Sequence, residues 1–210
     1  MATITISSAD NSRSDQRRRA ILDVASAAFL EDGFAATSMS SIATRLGGSK
    51  GTLYNYFRSK EELFSAFMLD ACGGAANALF DNLPAIGDDL RGTLIDLGAG
   101  FMGFVMSDPV TAIHRLVVAE SGRFPEVGRL FYETGPRKGE RRLAEYFAVA
   151  MAEGRLRPAD PDAMARRFKD LCLSDIYTRR LWGVLDAVAP EEIRASVTEG
   201  VDIFLAYYGH

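Results

Sequence analysis

Cysteine, histidine and long apolar runs are all scarce in this chain. Its two cysteines, Cys72 and Cys172, lie a hundred residues apart, and its only histidines are His114 and His210. A zinc site needs clustered thiolates and imidazoles, so no metal and no cofactor is expected, and both thiols read as buried and free. No apolar run approaches the roughly 20 residues that span a bilayer. The longest candidate, Leu94 to Met106, is broken by Asp96 and several glycines. Residues Met1 to Ser12 are small and polar, without the basic-then-apolar order of a signal peptide. The expectation is a cytoplasmic protein with no membrane partner. Alternating strand patterns and internal repeats are missing too, which argues against β architectures. Positive charge is not in excess: 24 Lys and Arg face 28 Asp and Glu, a net charge of −4. Net charge therefore does not point to nucleic acid.

Helical periodicity, by contrast, runs through nearly the whole sequence. With 210 residues, 48% hydrophobic and 25% charged, the composition suits a soluble globular protein of one or two domains. Ile21, Ala25, Ala28 and Phe29 line one face of a helix from about Asp15 to Asp32, stopped by Gly33. Ile42, Ala43 and Leu46 mark a second, short helix, and Leu53 and Phe57 a third. Ser59-Lys-Glu-Glu62 reads as a capping box in which the glutamate returns to the amide of the cap residue. It opens a fourth helix with Leu63, Phe64, Phe67 and Ala71 inward. Further on, Leu90, Leu94, Leu97, Phe101, Phe104 and Val105 recur at three and four. Asp108-Pro109, Pro125, Asp160-Pro161 and Pro190 each start another helix, because proline forfeits no hydrogen bond in the first turn. A kink is expected at Gly135-Pro136. The expected fold is all-α with about nine helices. A disordered arm (1–14) precedes a three-helix helix-turn-helix head (15–75) and a larger helical body (76–210).

The stretch from Gly33 to Glu62 carries the functional signal: two short helices around a glycine turn, with polar residues where a DNA backbone would lie. In a helix-turn-helix the second helix enters the major groove while the first crosses the backbone. Ser49 caps the second helix, so free amides and a positive dipole end face outward. Gly51 removes a side chain where that helix would approach DNA most closely. Lys50, Thr52, Tyr54, Asn55 and Tyr56 supply donors for base edges or phosphates, with packing as the alternative role of Tyr54. Lys60 is placed for another phosphate, and Thr37 and Ser38 offer hydroxyls and amides at the start of the first helix. Residues 1–75 hold eight Lys and Arg against eight Asp and Glu. Affinity must therefore come from where the cations sit. Asp23, Glu31 and Asp32 fall late in the first long helix, away from Arg17-Arg18-Arg19, which is either a phosphate or minor-groove contact or a solvated arm.

Phe29, Gly33, Phe34, Thr37-Ser38, Ile42-Ala43, Gly47, Ser49-Lys-Gly-Thr-Leu-Tyr54, Phe57 and Lys60-Glu-Glu-Leu63 together resemble the N-terminal domain of TetR-type transcriptional regulators. The resemblance covers about Asp15 to Ala75. Gly48 departs from it, standing where the family carries a small branched apolar residue; a second glycine loosens the turn and removes a packing contact. The first helix starts Met39-Ser40-Ser41, without a charged side chain to reach a base, so recognition falls on Lys50, Thr52, Asn55 and the tyrosines. Arg115 to Tyr146, with Ala-Glu120-Ser-Gly-Arg-Phe-Pro125-Glu and Phe131-Tyr-Glu-Thr-Gly-Pro136, resembles the C-terminal region of the AefR-like branch more loosely.

The resemblance implies a body that binds a small, mostly apolar effector and dimerises. Candidate pocket residues are Phe101, Phe104, His114, Phe131, Phe168 and Cys172, each of which reads individually as plain core. One head reads few base pairs, so two heads on a pseudo-palindromic double-stranded operator are expected. Candidate dimer contacts are Trp182, Ile193, Val197, Val201 and Phe204 on the last two helices. Some of these must face the body's own core, and sequence does not divide them. The function these observations imply is a homodimeric, non-enzymatic repressor released from DNA by an effector. An activator or effector-independent regulator shares every feature, and an adaptor whose head binds protein is a further alternative. Leu94-Ile-Asp-Leu-Gly-Ala-Gly-Phe-Met-Gly103 contains a literal G-x-G-x-x-G suggestive of an S-adenosylmethionine-dependent methyltransferase. That fingerprint needs a strand before it, whereas helical spacing continues straight through.

Overall fold

A computed structural model describes residues 8–87 and 89–210, and every described element is helical. Ten helices follow one another: α1 (Ser8–Ala36), α2 (Met39–Arg45), α3 (Lys50–Tyr54), α4 (Lys60–Asp81), α5 (Leu90–Val105), α6 (Asp108–Ser121), α7 (Pro125–Thr134), α8 (Pro136–Ala152), α9 (Pro161–Leu181) and α10 (Pro190–Tyr208). The tenth arises at the expected kink, which is a break. Gly135 has φ −120° and ψ −84°, outside the helical region. Pro136 disfavours helical geometry in the residue before it and donates no amide of its own.

Two other boundaries differ from expectation. α1 begins at Ser8, so residues 8–14 of the expected disordered arm are helical, and the first part of that arm, residues 1–7, lies outside the described residues. Polar composition does not prevent helical backbone there. Gly33 nonetheless stops α1 as expected: φ 81° and ψ 168° there end the continuous helix, leaving residues 34–36 as a separate turn. Similarly, α4 runs unbroken through Gly73-Gly74, past the expected head boundary at residue 75.

Two hydrophobic cores explain why α4 is long. The head core packs Phe29, Phe34, Phe64 and Phe67 ring against ring, with centroids 5.0 Å apart for Phe29–Phe64 and 5.1 Å for Phe34–Phe64. Ile113 and Val117 of α6 and Val127 of α7 complete it, so the head is not a core on its own. The far end of α4 places Leu79 and Phe80 on the body core, which α5, α8, α9 and α10 enclose. At its centre Phe147 stacks on Phe204 and Phe168 meets both edge to face, with centroids 5.2 to 5.6 Å apart.

Gly98 and Gly200 let the body helices approach closely. A Cβ on Gly98 would meet Val197 Cγ1 at 2.6 Å and Cys172 Sγ at 2.9 Å; one on Gly200 would meet Leu171 O at 2.8 Å. The G-x-G-x-x-G at Gly98–Gly103 therefore lies inside a helix, and at least its first glycine serves helix packing. No strand precedes it among the described residues, so the methyltransferase alternative loses its structural context. No single described helix is long and apolar enough to cross a membrane.

Candidate nucleic-acid interface

The helix-turn-helix is built from caps and buried anchors. Ser38 caps α2: its hydroxyl accepts from the Ser41 amide at 3.0 Å, and Ser41 Oγ accepts from the Ser38 amide at 3.0 Å. Met39, Ile42 and Ala43 then face the head core. The turn follows at Gly47, where φ of 66° is left-handed and suits glycine. Ser49 caps α3 by accepting from the Thr52 amide at 3.2 Å, and its hydroxyl lies 3.0 Å from that of Thr52. Leu53, fully buried, and Phe57 anchor the short helix from below. Ser59 caps α4, accepting from the Glu62 amide at 3.1 Å. Glu62 does not return to the cap residue as the sequence suggests; it accepts from the Arg58 amide at 2.7 Å, one position earlier.

These anchors decide which predicted contacts face solvent. Ser38, Ser49, Lys50, Gly51, Tyr54 and Asn55 are exposed, and Thr52 and Tyr56 are half-buried. Tyr54, 49% exposed, is surface rather than core. Thr37 is a correction. Its side chain is 1% exposed, and its hydroxyl donates to Gly33 O at 2.7 Å and Ala28 O at 3.1 Å, holding the end of α1 instead of awaiting phosphate. Lys60 is also committed inward. Its ammonium donates to Phe34 O at 2.7 Å and lies 4.1 Å from the Phe34 ring centroid, so it pins α4 to the end of α1.

The even charge count hides a segregation. Arg45 bridges both Glu31 and Asp32 at 2.7 Å, and Arg19 pairs with Asp70 at 2.7 Å and Asp23 at 3.5 Å. Two of the eight cations thus hold four of the eight acids. Such exposed pairs add little stability, but they fix where uncompensated charge lies. Arg17, Lys50 and Arg58 have no side-chain ion pair among the described residues. Arg18 lies over Phe57, 5.2 Å from its centroid. Arg13, on α1, is unpaired too among the described residues, while Lys50 opens α3 and Arg58 follows it.

In the body, the six candidate pocket residues do not converge. His114 and Phe131 meet edge to face with centroids 4.9 Å apart, and His114 Nδ1 lies 2.8 Å from Tyr177 Oη. Burial pushes the His114 imidazole down to about 4, so it is neutral at neutral pH. Phe168 and Cys172 are buried elsewhere, with Cys172 against Gly98 and its thiol pushed up to about 12 by burial. Phe101 and Phe104 are half-buried on α5. A surface cleft of about 390 Å³ instead opens where Met106 and Asp108 meet Arg180 and Val188. Arg180, 8% exposed, donates to Met106 O, Leu185 O and Asp108 there. Arg115 donates to the last carbonyls of α9, Arg180 O and Leu181 O, both at 2.8 Å. Neither arginine is recognisable from spacing, because its partners are mostly carbonyls remote in sequence.

The dimer candidates divide sharply. Ile193, Val197, Val201 and Phe204 are buried in the body's own core, which corrects their assignment to a partner-facing surface: α10 lies between α5 and α9 and turns that stripe inward. Trp182 is 75% exposed. Val184, Ile203 and Tyr207 are exposed large apolar side chains on the same last elements.

A capped, glycine-turned helix pair with uncommitted cations around it, mounted on an all-α body, defines a DNA-binding transcriptional regulator. The chain belongs to the TetR family: the model for bacterial regulatory proteins of the tetR family matches residues 21–67, and that for the C-terminal domain of AefR-like transcriptional repressors matches residues 92–210. The HTH-type transcriptional repressor KstR2 of Mycobacterium tuberculosis is 29% identical over 178 residues, covering 82% of this chain and 86% of its own. The flavonoid-responsive regulator FrrA is 34% identical with a TM-score of 0.79, covering 93% of this chain and 98% of its own. A TetR family regulator from Pseudomonas syringae pv. tomato is 30% identical with a TM-score of 0.75, at the same coverage of 93% and 98%.

Proposed function

We propose that the chain acts as a homodimeric repressor whose two heads hold a pseudo-palindromic operator and whose body binds a small, mostly apolar effector that releases it. The observation that carries this reading is the exposed row Ser49, Lys50, Gly51, Tyr54 and Asn55, standing on the buried anchors Leu53 and Phe57. Lys50 and Asn55 serve base edges or phosphates, Ser38 and Ser49 the backbone. The exposed apolar set Trp182, Val184, Ile203 and Tyr207 supports a second copy as partner.

Effector control is supported by how the head core is made. Ile113 and Val117 belong to α6, which also carries His114 beside Phe131 and Tyr177. A ligand that shifted α6 would move side chains inside the head core, and one that favoured a wider spacing of the heads would shift the population off DNA. FrrA, named as flavonoid-responsive, supports small-molecule control of this kind.

The test is binding of the full chain to duplexes tiling its own upstream region, titrated with salt. Sequence-selective binding that survives moderate salt is expected. Uniform, steeply salt-dependent binding to every duplex would sink the operator reading, because phosphate contacts alone behave that way.

A further inference from the structure

Gly48, the departure in the turn, has Arg17 lying against it. A Cβ on Gly48 would sit 3.1 Å from Arg17 Nη2. The backbone does not require glycine here, since the left-handed residue of the turn is Gly47 and not Gly48. Gly48 closes the turn with its amide, which donates to Ala43 O at 3.1 Å. What the absent side chain provides is room for a guanidinium.

Arg17 differs from its neighbours in two ways. It is half-buried where Arg13, Arg18 and Arg19 are exposed. Its side chain also makes no hydrogen bond or ion pair among the described residues, whereas that of Arg19 is held by Asp70 and Asp23. The planar fork of an arginine suits a phosphate in two-point contact. Arg17 therefore lies against the turn with no carboxylate partner among the described residues, its charge left for an anion.

We propose that Gly48 is a positioning residue that seats Arg17 of α1 against the α2–α3 turn, and that Arg17 there takes one DNA phosphate per head. This rests on the DNA-binding reading of the helix-turn-helix and adds a contact from outside it. A branched side chain at position 48 fills the seat and turns the guanidinium away. A single methyl displaces the tip of this flexible side chain by only a few tenths of an ångström.

The experiment is fluorescence anisotropy of the full chain on a fluorescein-labelled duplex of mixed sequence, across about 50 to 200 mM salt. Each phosphate contact contributes about 0.9 to the slope of log K against log salt. Arg17→Ala should lower that slope by about 0.9 for each head on DNA. Gly48→Val should lower it equally, Gly48→Ala should keep the wild-type slope, and Arg17→Ala/Gly48→Val should lose no more than either single variant. Melting temperatures are measured alongside, and Gly48→Thr replaces Gly48→Val if the latter does not fold. An unchanged slope in Arg17→Ala overturns the phosphate contact. A further full loss on adding Gly48→Val to Arg17→Ala overturns the seat, since Gly48 would then act through the turn itself. A wild-type chain showing no salt-dependent binding is a separate failure, that of the DNA-binding reading.

Discussion

Alanine at Gly98 and alanine at Gly103 should change stability in opposite directions, although both lie in α5. In a helix, Gly→Ala gains about 0.5–1 kcal/mol from lost backbone freedom of the unfolded chain. At Gly103 nothing lies within 4 Å of the new methyl, so the gain is kept. At Gly98 the methyl would meet Val197 Cγ1 at 2.6 Å and Cys172 Sγ at 2.9 Å, in a core where both neighbours are fully buried. Overpacking of that kind costs about 1–3 kcal/mol, which exceeds the gain and leaves a net loss of about 1 kcal/mol. For a chain of this size each kcal/mol moves the melting temperature by about 2–4 °C. Circular dichroism melts at one fixed protein concentration should therefore place Gly98→Ala below the parent and Gly103→Ala above it. Adding Val197→Ala to Gly98→Ala should recover part of the loss, because it removes the nearer colliding atom. Equal stabilisation by both alanines would refute the close approach of α5, α9 and α10. It would also reopen the question of why the G-x-G-x-x-G is there.

Thr37→Val should destabilise by about 1–2 kcal/mol, because Gly33 O and Ala28 O lose their buried donor; a chemical melt checks this, and an altered salt slope for DNA binding would count against the structural role. Tyr54→Ala and Asn55→Ala, both exposed, should weaken DNA binding in anisotropy while leaving the melting temperature within about 0.5 kcal/mol equivalent. His114 is held neutral by burial, with its folded value lowered from 6.5 to about 4. A lowered folded value means that its contribution is full above 6.5 and is lost as pH falls toward 4. Melts between those values should show a steeper loss in the parent than in His114→Phe, by about 3 kcal/mol at most. Trp182→Glu and Tyr207→Glu should shift the chain toward monomer in light scattering, whereas Val197→Ala should lower stability first.

Much of this protein is legible in one dimension because helices and their caps are local. The 3.6-residue stripe, proline at a first turn, a serine three residues before an amide and a glycine at positive φ all operate within a few positions. The helix-turn-helix is legible in the sequence because Ser38, Gly47, Ser49, Leu53 and Ser59 act over a few positions each. Gly48 is visible as a departure only against the pattern of the family that the motif resembles. That pattern does not reveal what fills the gap, since Arg17 arrives from another helix.

Tertiary structure decided everything that depends on which face meets which neighbour. Ile193, Val197, Val201 and Phe204 form one apolar stripe on α10, and no local rule says whether it meets its own α5 and α9 or another chain. Thr37 and Lys60 sit among polar residues of the motif, yet carbonyls of α1, 4 to 26 positions away, claim them. Charge count alone makes the head neutral, while the pairing of Arg19 and Arg45 with four acids leaves Arg17, Lys50 and Arg58 unpaired among the described residues, Arg17 against the turn itself. Backbone conformation is set by neighbours in sequence, and hydrogen bonds and ion pairs by neighbours in space. The sequence by itself therefore determined the helices and the DNA-binding motif; only packing decided which side chains are left to touch DNA.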